Sequence, residues 1–221
     1  MHMQDVWTRV DEYFGDRLVA ADDALDAALT ANRKAGLPPI DVTPLQGKFL
    51  DLLVRISGAR RILEIGTLGG YSTIWLARAL PSSGRIVSLE SSAHHAEVAR
   101  ENLRKAGVLD CVDLRVGRAI DTLAALDDDE PFDLIFIDAD KQSLAEYLQW
   151  ALTLSRVGTV IVADNVVREG KVLDAESDDP VVEGVRRFTE QLAAEPRLSA
   201  TVLQTVGIKG YDGFALAIVV S

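Results

Sequence analysis

The chain of 221 residues holds a single cysteine, Cys111, only three histidines, and aromatic residues at 6%. A lone cysteine excludes an intrachain disulfide, and the default setting for such a chain is a reducing cytoplasm. Positive charge is scarce too. Lys and Arg number 23 against 34 Asp and Glu, for a formal net charge of −11, whereas a surface devoted to nucleic acid or anionic lipid needs the opposite sign. Long apolar runs are also missing: none approaches the roughly 18 residues of a membrane span, and the opening M-H-M-Q-D-V-W-T-R-V breaks its apolar residues with charge. The expectation is a soluble, cytoplasmic protein with no membrane partner and with a charge that argues against nucleic acid, a local basic patch aside.

What the chain has is 48% apolar residues, without internal repeat or low-complexity segment. That suffices to bury a full core in one domain. Residues 5–35 space Val10, Phe14, Leu18, Leu25, Ala28 and Leu29 for helical burial, so 1–40 is expected to form an N-terminal helical appendage to a main domain over 41–221. Gly36 ends the helix and Pro38-Pro39 stiffens the connection. Thr43 followed by Pro44 then starts a helix carrying Leu45, Phe49, Leu52, Leu53 and Ile56.

From Arg61 onward strands and helices alternate, which signals a parallel sheet covered on both faces. Predicted strands are 61–65, 85–89, 112–116, 132–137 and 159–163, with helices over 71–80, 93–106, 119–126, 143–154 and 181–194. Segments 200–206 and 214–220, joined by the Gly-rich 207–213, read as an antiparallel pair on one sheet edge. Residues 168–179, with Asp174, Glu176 and Asp178, fit neither period. They are expected to form a solvated loop, a lid or plain surface, ending where Asp179 caps a helix with Pro180 at its first position.

The stretch R-I-L-E-I-G-T-L-G-G-Y-S at 61–72 reads as strand, tight turn and helix. Gly66, Gly69 and Gly70 permit positive φ and close approach of the backbone to a ligand. Their spacing is not the G-x-G-x-x-G of dinucleotide binders, and Glu64 at the strand end suits a ligand with a cationic or hydroxyl-rich face, such as S-adenosylmethionine. A purely structural glycine turn is the other reading.

Ligands of open α/β sheets bind outside the carboxyl ends of the strands. Acids stand at several of those ends: Glu64, Glu90, Asp138 with Asp140, and Asp164-Asn165. Each alone also reads as a helix cap or turn, but like charges gathered on one rim repel unless a cation or ligand satisfies them. Glu90, 20 residues after Gly70, is placed to accept from both hydroxyls of a ribose. Asp138, Asp164 and Asn165 offer hard oxygen donors, which suit magnesium first, manganese or calcium next, and not zinc. Lys141 sits at a helix start that the macrodipole makes unfavourable for a cation. It is read as a general base, or else as a surface lysine paired with Asp140 or Glu146. His94 and His95 are expected to be solvated, and Trp7, Trp75 and Trp150 to be core or interface residues, with one of them available to wall a planar substrate.

Taken together, E-I-G-T-L-G-G-Y-S, the acid Glu90, F-I-D-A-D-K at 136–141 and A-D-N-V-V at 163–167 resemble, in order and spacing, the cation-dependent O-methyltransferases of the catechol and caffeoyl-coenzyme A type. The resemblance runs from about residue 40 to the end. It implies a Rossmann-like α/β fold whose seven-stranded, mostly parallel sheet ends in an antiparallel strand, with helices on both faces. It further implies that Val42, Glu64, Gly66, Thr67 and Ser72, with the turn at Gly70, contact S-adenosylmethionine. Glu90 would hold the ribose, the backbone at Ala119 would meet the adenine, and Asp138 would close the cofactor site. Val42 and Ala119 rest on the resemblance alone. Asp138, Asp164 and Asn165 would hold the divalent metal, and Lys141, beside Asp138, would act as base on a catechol-like phenolic substrate. A homodimer is the expected assembly. Two other readings stay open: a transfer-RNA hydroxyuridine methyltransferase of the same fold, and a cofactor-binding protein without turnover.

Overall fold

In the computed structural model, which describes residues 2–126 and 130–221, the apolar runs read above become the centre of a seven-stranded sheet of order β3-β2-β1-β4-β5-β7-β6. Its strands are β1 (Arg61–Ile65), β2 (Arg85–Glu90), β3 (Val112–Val116), β4 (Phe132–Ile137), β5 (Ser155–Asp164), β6 (Leu198–Gly207) and β7 (Gly210–Val219). The pairs β1·β2, β1·β4, β2·β3 and β4·β5 are parallel, and β7 runs antiparallel to both β5 and β6. The expected fold class, with its antiparallel last strand, is the one observed.

Alternate residues of a strand point to opposite faces, and β4 shows what each face meets. Ile135 and Ile137 enter one core with α7 (Leu144–Thr153) and α8 (Pro180–Ala194), through Leu148, Val185 and Phe188. Leu134 and Phe136 enter the other, formed by α2 (Asp23–Lys34), α3 (Pro44–Ser57), α4 (Tyr71–Ala79) and α5 (Ala93–Lys105), through Leu25, Leu50, Ile74 and Leu103. A short α6 (Ala119–Ala124) follows β3. Local capping agrees with the sequence: Thr43 forms a capping box with Gln46 ahead of Pro44, and Asp179 accepts from the N of Val181 beside Pro180.

Three expectations need correction. Residues 5–35 form two helices, α1 (Met3–Leu18) and α2, and the three apolar positions on α1 are not buried: Val10, Phe14 and Leu18 are 47%, 45% and 63% exposed. The period was right, but within this chain α1 rests only its edge on β6 and α3. The link between the last two strands, which do pair antiparallel as expected, is shorter than 207–213; β6 and β7 pair through to Gly207 and Gly210, leaving Ile208 and Lys209 as a two-residue turn. Residues 168–173 are not plain loop either. They form a 3-10 segment in which Arg168, Glu169 and Gly170 all have positive φ, pinned by Arg186 donating to the carbonyl of Val172.

Because β1, β4 and β5 are parallel and adjacent, Gly66, Asp138 and Asp164 leave the sheet on one edge. The chain winds from β1 outward to β3 and then crosses to β4, so β1 and β4 flank the switch point where ligands of such sheets bind.

Candidate active site

Two backbone bonds carry the ladder past the strand ends: the N of Gly66 donates to the carbonyl of Leu89 and the N of Asp138 to that of Ile65. They bring Gly66 so close to Asp138 that a Cβ built on the glycine would lie 2.2 Å from the Asp138 carbonyl oxygen, at φ +101°. Only glycine fits there. Gly69 is glycine for another reason: its Cβ would meet the Asn32 Oδ1 at 1.9 Å. The close approach predicted for a ligand is, at this residue, an approach to α2. Gly70 caps α4 in the left-handed region and packs on Ala99 and Leu103.

Glu64 is fully buried. Ser72 Oγ donates to its Oε1, and Thr73 Oγ1 and Ser88 Oγ to its Oε2, all at 2.6 Å. With the Ser88 proton spent on Glu64, the Thr67 hydroxyl, 2.6 Å away, is the donor to Ser88. Burial, opposed by these three hydroxyls, pushes the Glu64 carboxyl up to about 7. The folded state therefore carries a cost that is absent below the unfolded pKa of about 4.5 and grows as pH rises toward 7. Glu64→Gln removes the ionisation. In urea unfolding the variant is expected to gain up to about 3 kcal/mol on the wild type at pH 8 and almost nothing at pH 4.5; equal curves at both pH values would refute the assignment.

A cavity of about 620 Å³ opens on the carboxyl edge, lined among others by Gly66, Glu90, Ala119, Asp138, Lys141 and Asn165. A second space of about 30 Å³ beside it touches Val42, Gly66, Thr67, Ser72 and Asp138. The predicted cofactor positions thus gather around these two spaces, except Glu64, which stands behind Ser72 and Thr67, and Gly70. Glu90 accepts from the N of Leu68 at 2.8 Å and of Ser92 at 2.9 Å. His95, expected to be a bystander, lines the large cavity with its Nδ1 3.4 Å from Glu90 Oε1. The signal for it was available: five residues beyond a strand-end acid is the first turn of the next helix, which faces the same edge.

Lys141 is buried and its Nζ lies 3.0 Å from Asp138 Oδ1, so it pairs with neither Asp140 nor Glu146. Asp140 instead accepts from Tyr147 Oη and the N of Ser143, capping the 3-10 turn Lys141–Ser143. Gly184 fixes that turn from outside. A Cβ there would sit 2.1 Å from the Lys141 carbonyl, so α8 presses directly on the backbone that carries the lysine.

Asp164 is 7% exposed and accepts one hydrogen bond, from the N of Asn165. Burial first, then the neighbouring Asp138 carboxylate, push it up to about 7, while the Lys141 charge pulls it back. Among the described residues no three Asp, Glu, His or Cys side chains gather as a metal cluster; Asn165, next in sequence to Asp164 and with its backbone at φ 58°, has an amide oxygen of the same hard-donor type. Two close carboxylates, one of them buried with a single donor, and an amide oxygen fit a hard divalent cation.

Asn165 and Arg168 also line a third cavity of about 420 Å³, whose walls include Phe49, Tyr211 and Phe214. Phe49 and Phe214 pack with ring centroids 4.8 Å apart. These rings, and no tryptophan, are the planar walls next to the rim acids.

The profile of the family described as O-methyltransferase matches residues 20–218. The chain belongs to the O-methyltransferase family. It is 55% identical over 216 residues to the catechol O-methyltransferase of Niastella koreensis, covering 97% of this chain and 98% of that one. It is likewise 55% identical to the catechol O-methyltransferase of Mycobacterium tuberculosis, over 95% and 94% of the two chains. Among solved structures, the O-methyltransferase from Bacillus cereus in complex with SAH superposes with a TM-score of 0.97 at 59% identity, over 98% of this chain and all of that one. The enzyme class expected from the residues, an S-adenosylmethionine-dependent O-methyltransferase, stands.

Proposed function

We propose that this O-methyltransferase is cytoplasmic and divalent-cation-dependent, and methylates one hydroxyl of a catechol-like, vicinal-dihydroxy phenol. The observation that supports the reading is that Asp138 has both Lys141, at 3.0 Å, and the buried Asp164 carboxyl as neighbours, while Asn165, next to Asp164, lines both the 620 Å³ and the 420 Å³ cavities. S-adenosylmethionine belongs in the larger one, where Glu90 faces the ribose, the backbone around Ala119 the base, and Ser72 and Thr67 transmit the negative character of Glu64 to the methionine end. The acceptor ring belongs in the smaller one, against Phe49 and Phe214. Asp138, Asp164 and Asn165 would hold the cation, magnesium first, which when bound supplies a Lewis acid for two neighbouring hydroxyls.

The chain's own work is then proton transfer and placement. Lys141 Nζ takes the proton of the attacking hydroxyl, and Asp138 keeps the resulting ammonium in place. Asn165, open to both cavities, fixes how near the two reactants approach. Methyl-transfer assays over catechols, caffeoyl thioesters, flavonoids and hydroxyuridine RNA are expected to give turnover with the catechol class in magnesium and none in chelator. Activity that survives the chelator removes the mechanism.

A homodimer remains the expected assembly. Met3, Val6, Val10, Tyr13, Phe14 and Leu18 leave α1 with an apolar surface that this chain does not cover. Sedimentation equilibrium should return about twice the 24.0 kDa chain mass; a species of single mass would discard the dimer.

A further inference from the structure

The turn between β6 and β7 has no part in the chemistry described so far, yet its one cation, Lys209, reaches the segment between α2 and α3. Lys209 Nζ donates to the carbonyl of Ile40 at 3.1 Å and to that of Asp41 at 2.6 Å. Those carbonyls belong to the stretch 37–43, which lies between α2 and α3 in neither helix nor strand. It has few bonds of its own, chiefly the N of Ile40 to the carbonyl of Pro38 at 2.8 Å. Leu37 and Val42 are buried and anchor it on either side, while Ile40 and Asp41 between them are held by side chains from elsewhere.

On its inner side the Asp41 carboxylate accepts from Asn32 Nδ2 at 2.8 Å. Asn32 in turn accepts from Asn102, which also bonds the carbonyl of Gly69 at 2.9 Å in the glycine turn. On its outer side the hold is Lys209. The base of Lys209 is itself fixed, because α1 grips the hairpin: Asp11 accepts from the N of Ile208 at 2.8 Å and Gln4 donates to the carbonyl of Gly207 at 2.9 Å.

The held stretch is a partition. Ile40 lines the 620 Å³ cavity, the small space beside Ser72, and the 420 Å³ cavity alike. Its side chain is 59% exposed, so packing does not fix it. Lys209 itself lines the 420 Å³ cavity. A wall shared by two cavities can couple their occupancy when its backbone is held in one arrangement that both occupants favour.

We propose that Lys209 is a positioning residue that anchors the Ile40–Asp41 backbone as the common wall of the donor and acceptor cavities, so that filling either one strengthens binding in the other. The inference rests on the assignment of those cavities made above. It is tested by calorimetric titration of S-adenosylhomocysteine, which cannot react, into the wild type, Lys209→Met and Lys209→Arg, each with and without saturating catechol and magnesium. The wild type is expected to bind about tenfold more tightly with catechol present. Lys209→Met should bind with a ratio under about twofold, and Lys209→Arg, which keeps donors for two carbonyls, should retain most of the effect.

A residue that merely supports the fold would weaken both titrations and leave their ratio alone; that result, or a wild-type ratio kept by Lys209→Met, overturns the proposal. So does a wild type that methylates catechol but shows no coupling. Failure of the wild type both to bind S-adenosylhomocysteine and to methylate would instead remove the cavity assignment, and the proposal with it. Lys209 is exposed, so the melting temperatures of all three proteins are expected to agree.

Discussion

With Asp164 replaced by alanine, kcat/KM for a catechol falls by roughly 10³-fold or more, the few kcal/mol that a Lewis acid contributes in such a transition state. Affinity for S-adenosylhomocysteine stays within about threefold of the wild type, because Asp164 is not among the residues that line the 620 Å³ cavity. Stability should not fall. Asp164 is nearly buried, accepts one hydrogen bond and sits against Asp138, so truncation removes a buried like-charge conflict along with the ligand. Melting curves separate the two effects. Without metal the variant melts at or above the wild-type temperature; added magnesium raises the wild type by mass action and leaves the variant unmoved. Full turnover in Asp164→Ala would show that these oxygens hold no catalytic cation.

What could be read from the residues, and what could not, divides along the range of the interactions involved. The strands announce themselves because a strand buried on both faces is a short, nearly continuous apolar run, and I-L-E-I at β1 and F-D-L-I-F-I at β4 are such runs, each broken by one acid, Glu64 and Asp133. Once they are parallel, the residues just after them must share an edge, which is why Glu90, Asp138, Asp164 and Asn165 could be named together. Capping pairs such as Thr43-Pro44 and Asp179-Pro180 are local as well.

Apart from His95, whose partner Glu90 is only five residues away, the misreadings at the site involve contacts between distant segments. Gly69 answers to Asn32, a partner that is not visible from the glycine's own neighbourhood. The apolar residues of α1 follow a helical period that says they want cover, and a period cannot say whether the cover lies in the same chain. Arg168 and Glu169 adopt left-handed backbone without being glycine, because Asp212 Oδ1, from β7, accepts the N of both Val167 and Arg168 and forces the turn. Nothing between residues 165 and 170 announces that constraint. It matters for the site, since the same turn starts at Asn165.

Lys141→Met is expected to lower kcat by 10² to 10⁴-fold, the usual contribution of a positioned base. The loss by itself would not decide the role, because Lys141 also pairs with Asp138 at 3.0 Å and truncation leaves that carboxylate without its cation. Lys141→Arg decides it. A guanidinium keeps the positive charge and can donate to Asp138, but it does not give up its proton in a protein. If Lys141 serves only to neutralise or orient Asp138, arginine restores most of the rate. If its Nζ takes the proton of the attacking hydroxyl, arginine is nearly as slow as methionine while the affinity for S-adenosylhomocysteine stays near wild type. The second outcome is the one the site favours: Lys141 is buried, its backbone is clamped by Gly184 of α8, and it lines the 620 Å³ cavity together with Asn165, which also lines the 420 Å³ cavity proposed for the acceptor. A lysine needed only for charge balance would not require so closely fitted a support.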